Sequence, residues 1–386
     1  MRTITVVGAS IAGLSAARAL RAQEFAGRII VIGDETHEPY DRPPLSKGFL
    51  DGSASLDDIT LSTPDDKLLD IDWRLGSKAA ALDTSARAVV LETGERVVTD
   101  GVVLATGARA REMPGPAGVH TLRTLNDAIA LKEALKQGGS LVVIGAGFIG
   151  AEVASTARQL GLDVTVVEAL PTPMAGPLGT QMGQVCADLH RRNGVRLITG
   201  VPVAALLGDD RVRAVLLADG REIPADAVVV GIGAIPNVEW LRGSGLAIEG
   251  GVVTDARCVT TVPNVVAVGD CASAFNEHAG CVLRLEHWTS AVQQPKIAAA
   301  GLLGRTSVHA ARFSVPYFWS DQYGSHLQFA GHRRDGDVAE IVEGSPDGPF
   351  AAVYRRDSRP VAVLAVDQPR VFGRWRRELA SEGVLS

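Results

Sequence analysis

Two stretches of the chain carry the same pattern, and that repeat limits the fold more than any other feature. Ile4-Thr5-Val6-Val7 runs into Gly8-Ala9-Ser10-Ile11-Ala12-Gly13 and an alanine-rich stretch over 14–20. Leu141-Val142-Val143-Ile144 runs into Gly145-Ala146-Gly147-Phe148-Ile149-Gly150 and a similar stretch over 151–160. Each reads as a strand, a glycine turn and a helix. Each then reaches a second apolar strand ending in acid. One is 28–32, before Asp34 and Glu35; the other is 164–167, before Glu168. A further strand completes each unit: Val102-Val103-Leu104 into Ala105-Thr106-Gly107-Ala108, and Val228-Val229-Val230 into Gly231-Ile232-Gly233-Ala234. The pattern predicts an α/β fold with two Rossmann-like dinucleotide-binding domains in tandem.

The turns point to pyrophosphate. Gly8 permits a tight exit from the strand, position 10 lets the backbone approach the phosphates, and Gly13 lets the helix pack on the sheet; Ala12 lies within the same turn. The helix start then offers free N–H groups and the positive end of its dipole. Ser10 departs from glycine by one hydroxymethyl group, which the site is expected to tolerate. Gly145, Gly147 and Gly150 form the complete GxGxxG. An acid ~20 residues on takes the ribose hydroxyls, which nominates Asp34 or Glu35 in the first unit and Glu168 in the second. Glu168 repels a 2′-phosphate, and no Arg or Lys lies between it and Arg191, so NADH is expected over NADPH. Two dinucleotide sites in one chain imply a relay, most economically from NADH to a bound flavin.

The 386 residues allow two or three domains. Met113-Pro114-Gly115-Pro116 reads as the connection into the second unit and Pro236-Asn237 as the connection back. The strand 265–268 with Gly269-Asp270 does not fit the second unit and is returned to the first. From about residue 309 aromatics gather (Phe313, Tyr317, Phe318, Trp319, Tyr323, Phe329), and alternating runs at 351–354 and 361–364 predict antiparallel strands. The expected division is a FAD-binding domain of 1–112 and 237–308, an NAD-binding domain of 113–236, and a small C-terminal α+β interface domain of 309–386.

Lys and Arg number 38 against 44 Asp and Glu, a net charge of −6, which argues against a nucleic-acid partner. The four cysteines, Cys186, Cys258, Cys271 and Cys281, contain no CxxC. They imply a reducing compartment and no metal site. No apolar stretch reaches the ~18 residues of a membrane span and none has the pattern of a signal peptide, so a cytoplasmic protein is expected.

The sequence resembles the FAD-dependent pyridine-nucleotide oxidoreductases, and within them the ferredoxin reductases that serve bacterial oxygenases. The resemblance covers essentially the whole chain. It is carried by Pro39-Tyr40-Asp41-Arg42-Pro43-Pro44-Leu45-Ser46-Lys47, Leu104-Ala105-Thr106-Gly107-Ala108, the 261–270 segment ending in Gly269-Asp270, and Tyr317-Phe318-Trp319-Ser320-Asp321-Gln322-Tyr323. It implies a glutathione-reductase-like arrangement of the two dinucleotide units. Arg42 and Lys47 would lie beside the isoalloxazine, with Lys47 near flavin N5 and paired with Glu152, in the first turn of the NAD-site helix. Asp270 would accept the ribityl hydroxyls. Arg123 would contact FAD, Ala79 would give a backbone contact on the adenine side, and Trp288 one near the ring. A helix from about Thr289 would aim its N-terminus at the flavin O2 and N1 edge, with Pro295 kinking it or lying near its first turns. Trp319 would stand between flavin and partner.

The disulfide reductases of this superfamily carry a redox cysteine pair in the first helix region, whereas here the first cysteine is Cys186. The four cysteines are not spaced as a redox pair, although Cys271 and Cys281 could approach each other in a loop. Without a thiol relay, electrons pass directly and singly to a 2Fe–2S ferredoxin. Arg305, Arg312, Arg333, Arg334, Arg374, Arg376 and Arg377 are candidates for its docking face. The chain is thus expected to be a monomeric, FAD-dependent NADH:ferredoxin oxidoreductase feeding a haem monooxygenase or a Rieske dioxygenase. Two other readings are an NADH oxidase or diaphorase, marked by fast turnover in air without a protein partner, and a redox-sensing interaction protein of the apoptosis-inducing-factor branch, marked by slow reduction and a long-lived charge-transfer complex.

Overall fold

The computed structural model describes residues 1–305 and 315–382. The first unit contains, in chain order, β1 (Thr3–Val7), α1 (Ile11–Ala22), β2 (Arg28–Ile32), β3 (Ile71–Arg74) and β4 (Gly101–Leu104). The second contains β5 (Val119–His120), α2 (Leu125–Leu135), β6 (Ser140–Ile144), α3 (Phe148–Gln159), β7 (Asp163–Glu168), α4 (Ala175–Arg192), β8 (Arg196–Thr199) and β9 (Ala227–Val230). The chain continues through β10 (Val265–Ala267) and α5 (Trp288–Leu302). It ends in β11 (Tyr317–Gln322), β12 (Ser325–Gly331), β13 (Val338–Gly344), β14 (Phe350–Arg356), β15 (Arg359–Val366) and α6 (Pro369–Glu382).

Both dinucleotide units form parallel sheets whose central strands are β-branched and buried on both faces, as helices on either side require. The first sheet runs β10-β4-β1-β2-β3 and the second β8-β7-β6-β9-β5. In each, the strand before the glycine turn is central, flanked by the acid-tipped strand and the closing strand: Val7 pairs with Ile32 and Leu104, and Ile144 with Val167 and Val230. The outer strand differs in origin. In the first sheet it is β10, contributed after the chain has passed through the second unit. The outgoing and returning chains pair as an antiparallel ribbon, Ala108–Ala110 with Ala234–Pro236.

The third sheet, β11-β12-β15-β14-β13, is antiparallel, and the alternating runs pair within it, Val353 opposite Val363. One face carries Leu327, Phe350, Tyr354 and Leu364 onto Met174, Leu178 and Met182 of the second unit. The other face is covered by Phe372 and Leu379 of α6.

Helix α3 is shared by all three units. Its Ala151 joins the core with the third sheet, while Val153, Ala154 and Ala157 join Tyr40, Leu45, Phe49 and Leu50 from the loop after β2. Alanine and glycine along α3 permit this close approach on two sides. Helix α5 begins at Trp288, one residue before the expected start, with His287 as its N-cap. Pro295 lies in the middle of α5 and not in its first turns. Its missing N–H leaves the Ala291 carbonyl without the usual donor, and the helix continues through it.

Candidate active site

The two glycine turns are built alike. Gly8 has φ +120°, and a Cβ there would lie 2.1 Å from the Ala105 carbonyl oxygen at the end of β4. Gly145 has φ +99°, and its Cβ would lie 2.3 Å from the Gly231 oxygen after β9. One turn on, a Cβ on Gly13 or Gly150 would strike the carbonyl of Gly8 or Gly145 at 1.8 and 2.1 Å. Strand, helix and closing strand therefore cross at contact distance, and only glycine permits it. The middle position is different. A Cβ on Gly147 would meet nothing within 4 Å, and Ser10 makes no side-chain capping bond. Neither α1 nor α3 has an acid in its first turn or a side-chain N-cap bond: Glu152, expected in the first turn of α3, is its fifth residue and lies past that turn. Both helix starts thus offer backbone donors to an anion. Ile149 and Ile232 remain exposed above the second turn, giving apolar surface beside it.

The acids separate into two kinds. Glu35 is committed internally: its carboxylate pairs with Arg42 at 2.8 Å and accepts from the Tyr40 hydroxyl at 2.6 Å. Burial pushes the Tyr40 phenol up from its usual range. Asp34 is exposed beyond the tip of β2 and accepts only from the Glu35 N–H among the described side-chain bonds. Ala79 opens the strand Ala79–Asp83 next to Lys78, whose ammonium pairs with Glu92 at 2.6 Å. In the second unit, Glu168 accepts from the N–H of Ala146 at 2.9 Å and of Leu170 at 2.8 Å, which holds it against the glycine turn.

The loop after β2 is wired across the first unit. Arg42 donates to the backbone carbonyl of Arg123, and Arg123 pairs with Asp270 at 2.5 Å. Gly269, at φ +70°, donates its N–H to the Gln294 side chain of α5 at 2.7 Å. Its missing Cβ would come within 3.2 Å of the Ala12 side chain on α1. Thr106 donates its hydroxyl to the Asn237 carbonyl at 2.7 Å, and the Asn237 side chain donates to the Thr106 carbonyl at 2.9 Å. Asn237 also donates its backbone N–H to Gly107. The returning chain therefore fixes the Ala105-Thr106-Gly107 turn. Asp41 accepts from Trp288 Nε1 at 2.8 Å, yet burial still raises its carboxyl above the usual range. Burial lowers His287 to about 4, which keeps it neutral at the start of α5.

Lys47 and Glu152 meet across the two dinucleotide units. Nζ lies 2.7 Å from the Glu152 carboxylate, which is 3% exposed. Glu152 Oε2 also accepts from the Ser46 hydroxyl at 2.5 Å. Oε1 accepts from the Ser320 hydroxyl at 2.7 Å and the Asp321 N–H at 3.3 Å. Both carboxylate oxygens are thus engaged, each by two donors. Trp319 lies edge-on to Trp288, ring centroids 6.1 Å apart, and stacks on Tyr317 at 5.9 Å. Arg376 of α6 caps Tyr317, 4.4 Å from its ring. The aromatics extend from the start of α5 to a basic helix.

Several functional candidates escaped the sequence reading. Tyr40, Gln294 and Asn237 hold the loops just described. Ser46 and Ser320 stood inside segments singled out for their resemblance, but nothing marked their hydroxyls. Two expectations need correction. Arg333 is no part of a docking face: its side chain is 8% exposed, and it donates to the Ala175 and Gly176 carbonyls at the start of α4. Cys271 and Cys281 do not approach each other. Cys271 is buried before the strand Ala272–Asn276, whose far end pairs Asn276 with Cys281, so about five residues of strand, roughly 16 Å, separate them. All four cysteines are free. Arg312 and Phe313 lie outside the described residues.

A family model for pyridine nucleotide-disulphide oxidoreductases matches residues 2–295. The chain belongs to that family. A second model, the reductase C-terminal domain, matches residues 317–386. The chain is 40% identical over 394 aligned positions to a rhodocoxin reductase of Rhodococcus erythropolis, covering all of this chain and 91% of that one. It is 38% identical to the ferredoxin–NAD(+) reductase component of a biphenyl dioxygenase system of Paraburkholderia xenovorans, covering 96% and 91%. Among solved structures it resembles the covalent putidaredoxin reductase–putidaredoxin complex, with a TM-score of 0.93 and 33% identity over 98% of this chain and 93% of that one. FAD and NADH are the cofactors of these enzymes, and the two open turns with uncapped helix starts fit their two pyrophosphates. Among the described residues, no helix is long and apolar enough to cross a membrane.

Proposed function

We propose that the protein is an FAD-dependent NADH:ferredoxin reductase supplying single electrons to a 2Fe–2S ferredoxin of an oxygenase system. The observation that carries this reading is the Lys47–Glu152 pair. It ties the loop of the first dinucleotide unit to the helix that opens on the second, in a chain whose four cysteines are all free. Bound FAD supplies the step between a hydride donor and a one-electron acceptor.

The residues divide the remaining work. Gly8, Ser10, Ala12, Gly13 and the start of α1 hold the FAD pyrophosphate, Asp34 the ribose, and Ala79 the adenine side. Glu35, being bonded to Arg42 and Tyr40, shapes the loop and leaves Asp34 as the ribose acid. Asp270, oriented by Arg123, takes the ribityl hydroxyls, while Gly269 and the Ala105-Thr106-Gly107 turn bring backbone close to the cofactor. Arg42 and Lys47 lie along the ring, with Trp288 near its edge. Gly145, Gly147, Gly150 and Glu168 hold NADH, and Glu168 disfavours a 2′-phosphate. Glu152 holds Lys47 in place while Trp319 leads toward the partner. Arg374, Arg376 and Arg377 on α6 offer an acidic ferredoxin a basic face. We place the division at 1–112 with 237–308, 113–236 and 309–386, and the protein in the cytoplasm, where unpaired cysteines persist.

The test is Lys47→Met. We expect FAD to stay bound and its reduction by NADH to slow at least about tenfold in stopped flow, the scale of one charge-assisted hydrogen bond. An unchanged rate would remove Lys47 from the account.

A further inference from the structure

Glu152 is the point where three parts of the chain meet in one buried carboxylate. The first unit supplies Lys47 and Ser46, both to Oε2. The C-terminal unit supplies Ser320 and the Asp321 N–H, both to Oε1. Ser320 is completely buried on β11, and its own oxygen accepts from Gln322 Nε2 at 3.0 Å, so the hydroxyl proton is directed at Glu152. One helical turn further along α3, Ser155 accepts from the Tyr323 N–H at 2.7 Å. The end of β11 is therefore bonded to α3 at two successive turns.

Without the Ser320 hydroxyl, Oε1 would keep, among the described residues, only the 3.3 Å bond from Asp321. The terminal torsion of a glutamate is broad, so a carboxylate held at one oxygen swings readily. Among the described residues Lys47 bonds otherwise only to the Pro43 carbonyl, at 3.1 Å, and would follow. We propose that Ser320 is a positioning residue for hydride transfer: it fixes the plane of the Glu152 carboxylate and, through it, the place of Lys47 Nζ. The C-terminal unit then takes part in the NADH half-reaction as well as in docking. The proposal rests on the reading of Lys47 as the group beside the flavin.

The experiment compares holoenzyme forms with Ser320→Ala, Lys47→Met and both changes, by stopped-flow reduction with NADH and by visible circular dichroism of the bound FAD. For Ser320→Ala we expect the limiting rate to fall about tenfold while the NADH Kd stays within about twofold. The flavin dichroism should change, and the melting temperature should fall by only a few degrees, the scale of losing one buried hydrogen bond. Added to Lys47→Met, Ser320→Ala should slow reduction no further, because both act through one group. An unchanged limiting rate in Ser320→Ala, or an equal further loss in the Lys47→Met background, overturns the proposal and leaves Lys47 in place. An unchanged rate in Lys47→Met overturns the underlying reading and the proposal with it.

Discussion

Replacing Glu152 with Gln tests the junction most severely, because the change is isosteric and alters only charge and donor pattern. The native carboxylate accepts four bonds, two at each oxygen. An amide presents one oxygen and one NH2 group, so whichever way it turns, two donors face a donor. If its oxygen keeps Ser320 and Asp321, the NH2 group meets Lys47 and Ser46. Breaking a buried ion pair by removing one partner costs about 3–5 kcal/mol. Lys47 is 23% exposed and retains the Pro43 carbonyl, and Ser46 can turn to the same carbonyl, 3.4 Å away. The lower end applies, about 3 kcal/mol. The assay is urea unfolding of the holoprotein at fixed excess FAD, followed by flavin fluorescence and far-UV dichroism, together with stopped-flow reduction by NADH. The midpoint should fall by the urea equivalent of that energy, and reduction should slow at least about tenfold. A loss below about 1 kcal/mol with an unchanged rate would show that the junction contributes no more than an ordinary surface pair.

Three other outcomes follow from particular residues. His190 is fully buried, with Nδ1 2.6 Å from the Tyr323 hydroxyl, and burial, aided by Arg191, lowers it from 6.5 to about 4. Because the folded value lies below the unfolded one, the His190 contribution to stability should be intact above pH 6.5 and be lost between 6.5 and 4, by up to about 3 kcal/mol; His287 is lowered in the same range, so His190→Gln should reduce the slope without abolishing it in urea titrations at several pH values, and an unchanged slope would refute it. With Glu168 as the proposed ribose acid and Arg333 occupied by the Ala175 and Gly176 carbonyls, NADH should show kcat/KM at least about tenfold above NADPH; equal values would refute this. Ferredoxin reduction should slow as salt rises from low ionic strength, and Arg376→Gln should weaken that dependence, whereas a flat salt profile would count against a basic docking face.

The two dinucleotide units are legible in the sequence because their physics is local. A strand buried on both faces must be a run of apolar residues, and a crossing of strand, helix and strand at contact distance must be glycine, as at Gly8 and Gly145. The Lys47–Glu152 pair is not local: its members lie in different units, and only resemblance to a family brought them together before the fold did. Ser46 and Ser320 are harder still, since a serine on a turn or a strand has the same signature whether or not its hydroxyl reaches a carboxylate. Asp34 and Glu35 are indistinguishable by spacing, and separate only when Tyr40 and Arg42 fold back onto Glu35. Arg333 failed in the opposite sense. An arginine near a strand end reads as solvated, but α4 is broken at Gly179, which is non-helical, so the Ala175 and Gly176 carbonyls before the break lack a regular helical donor and the chain folds Arg333 onto them.

The most direct test of the relay is NADH-dependent cytochrome c reduction, measured with and without a 2Fe–2S ferredoxin from the same genome. The account predicts slow reduction by the reductase alone and strong, saturable stimulation by the ferredoxin, with little oxygen consumed. Rapid oxygen uptake with no stimulation by any such ferredoxin would contradict it and make the protein an NADH oxidase.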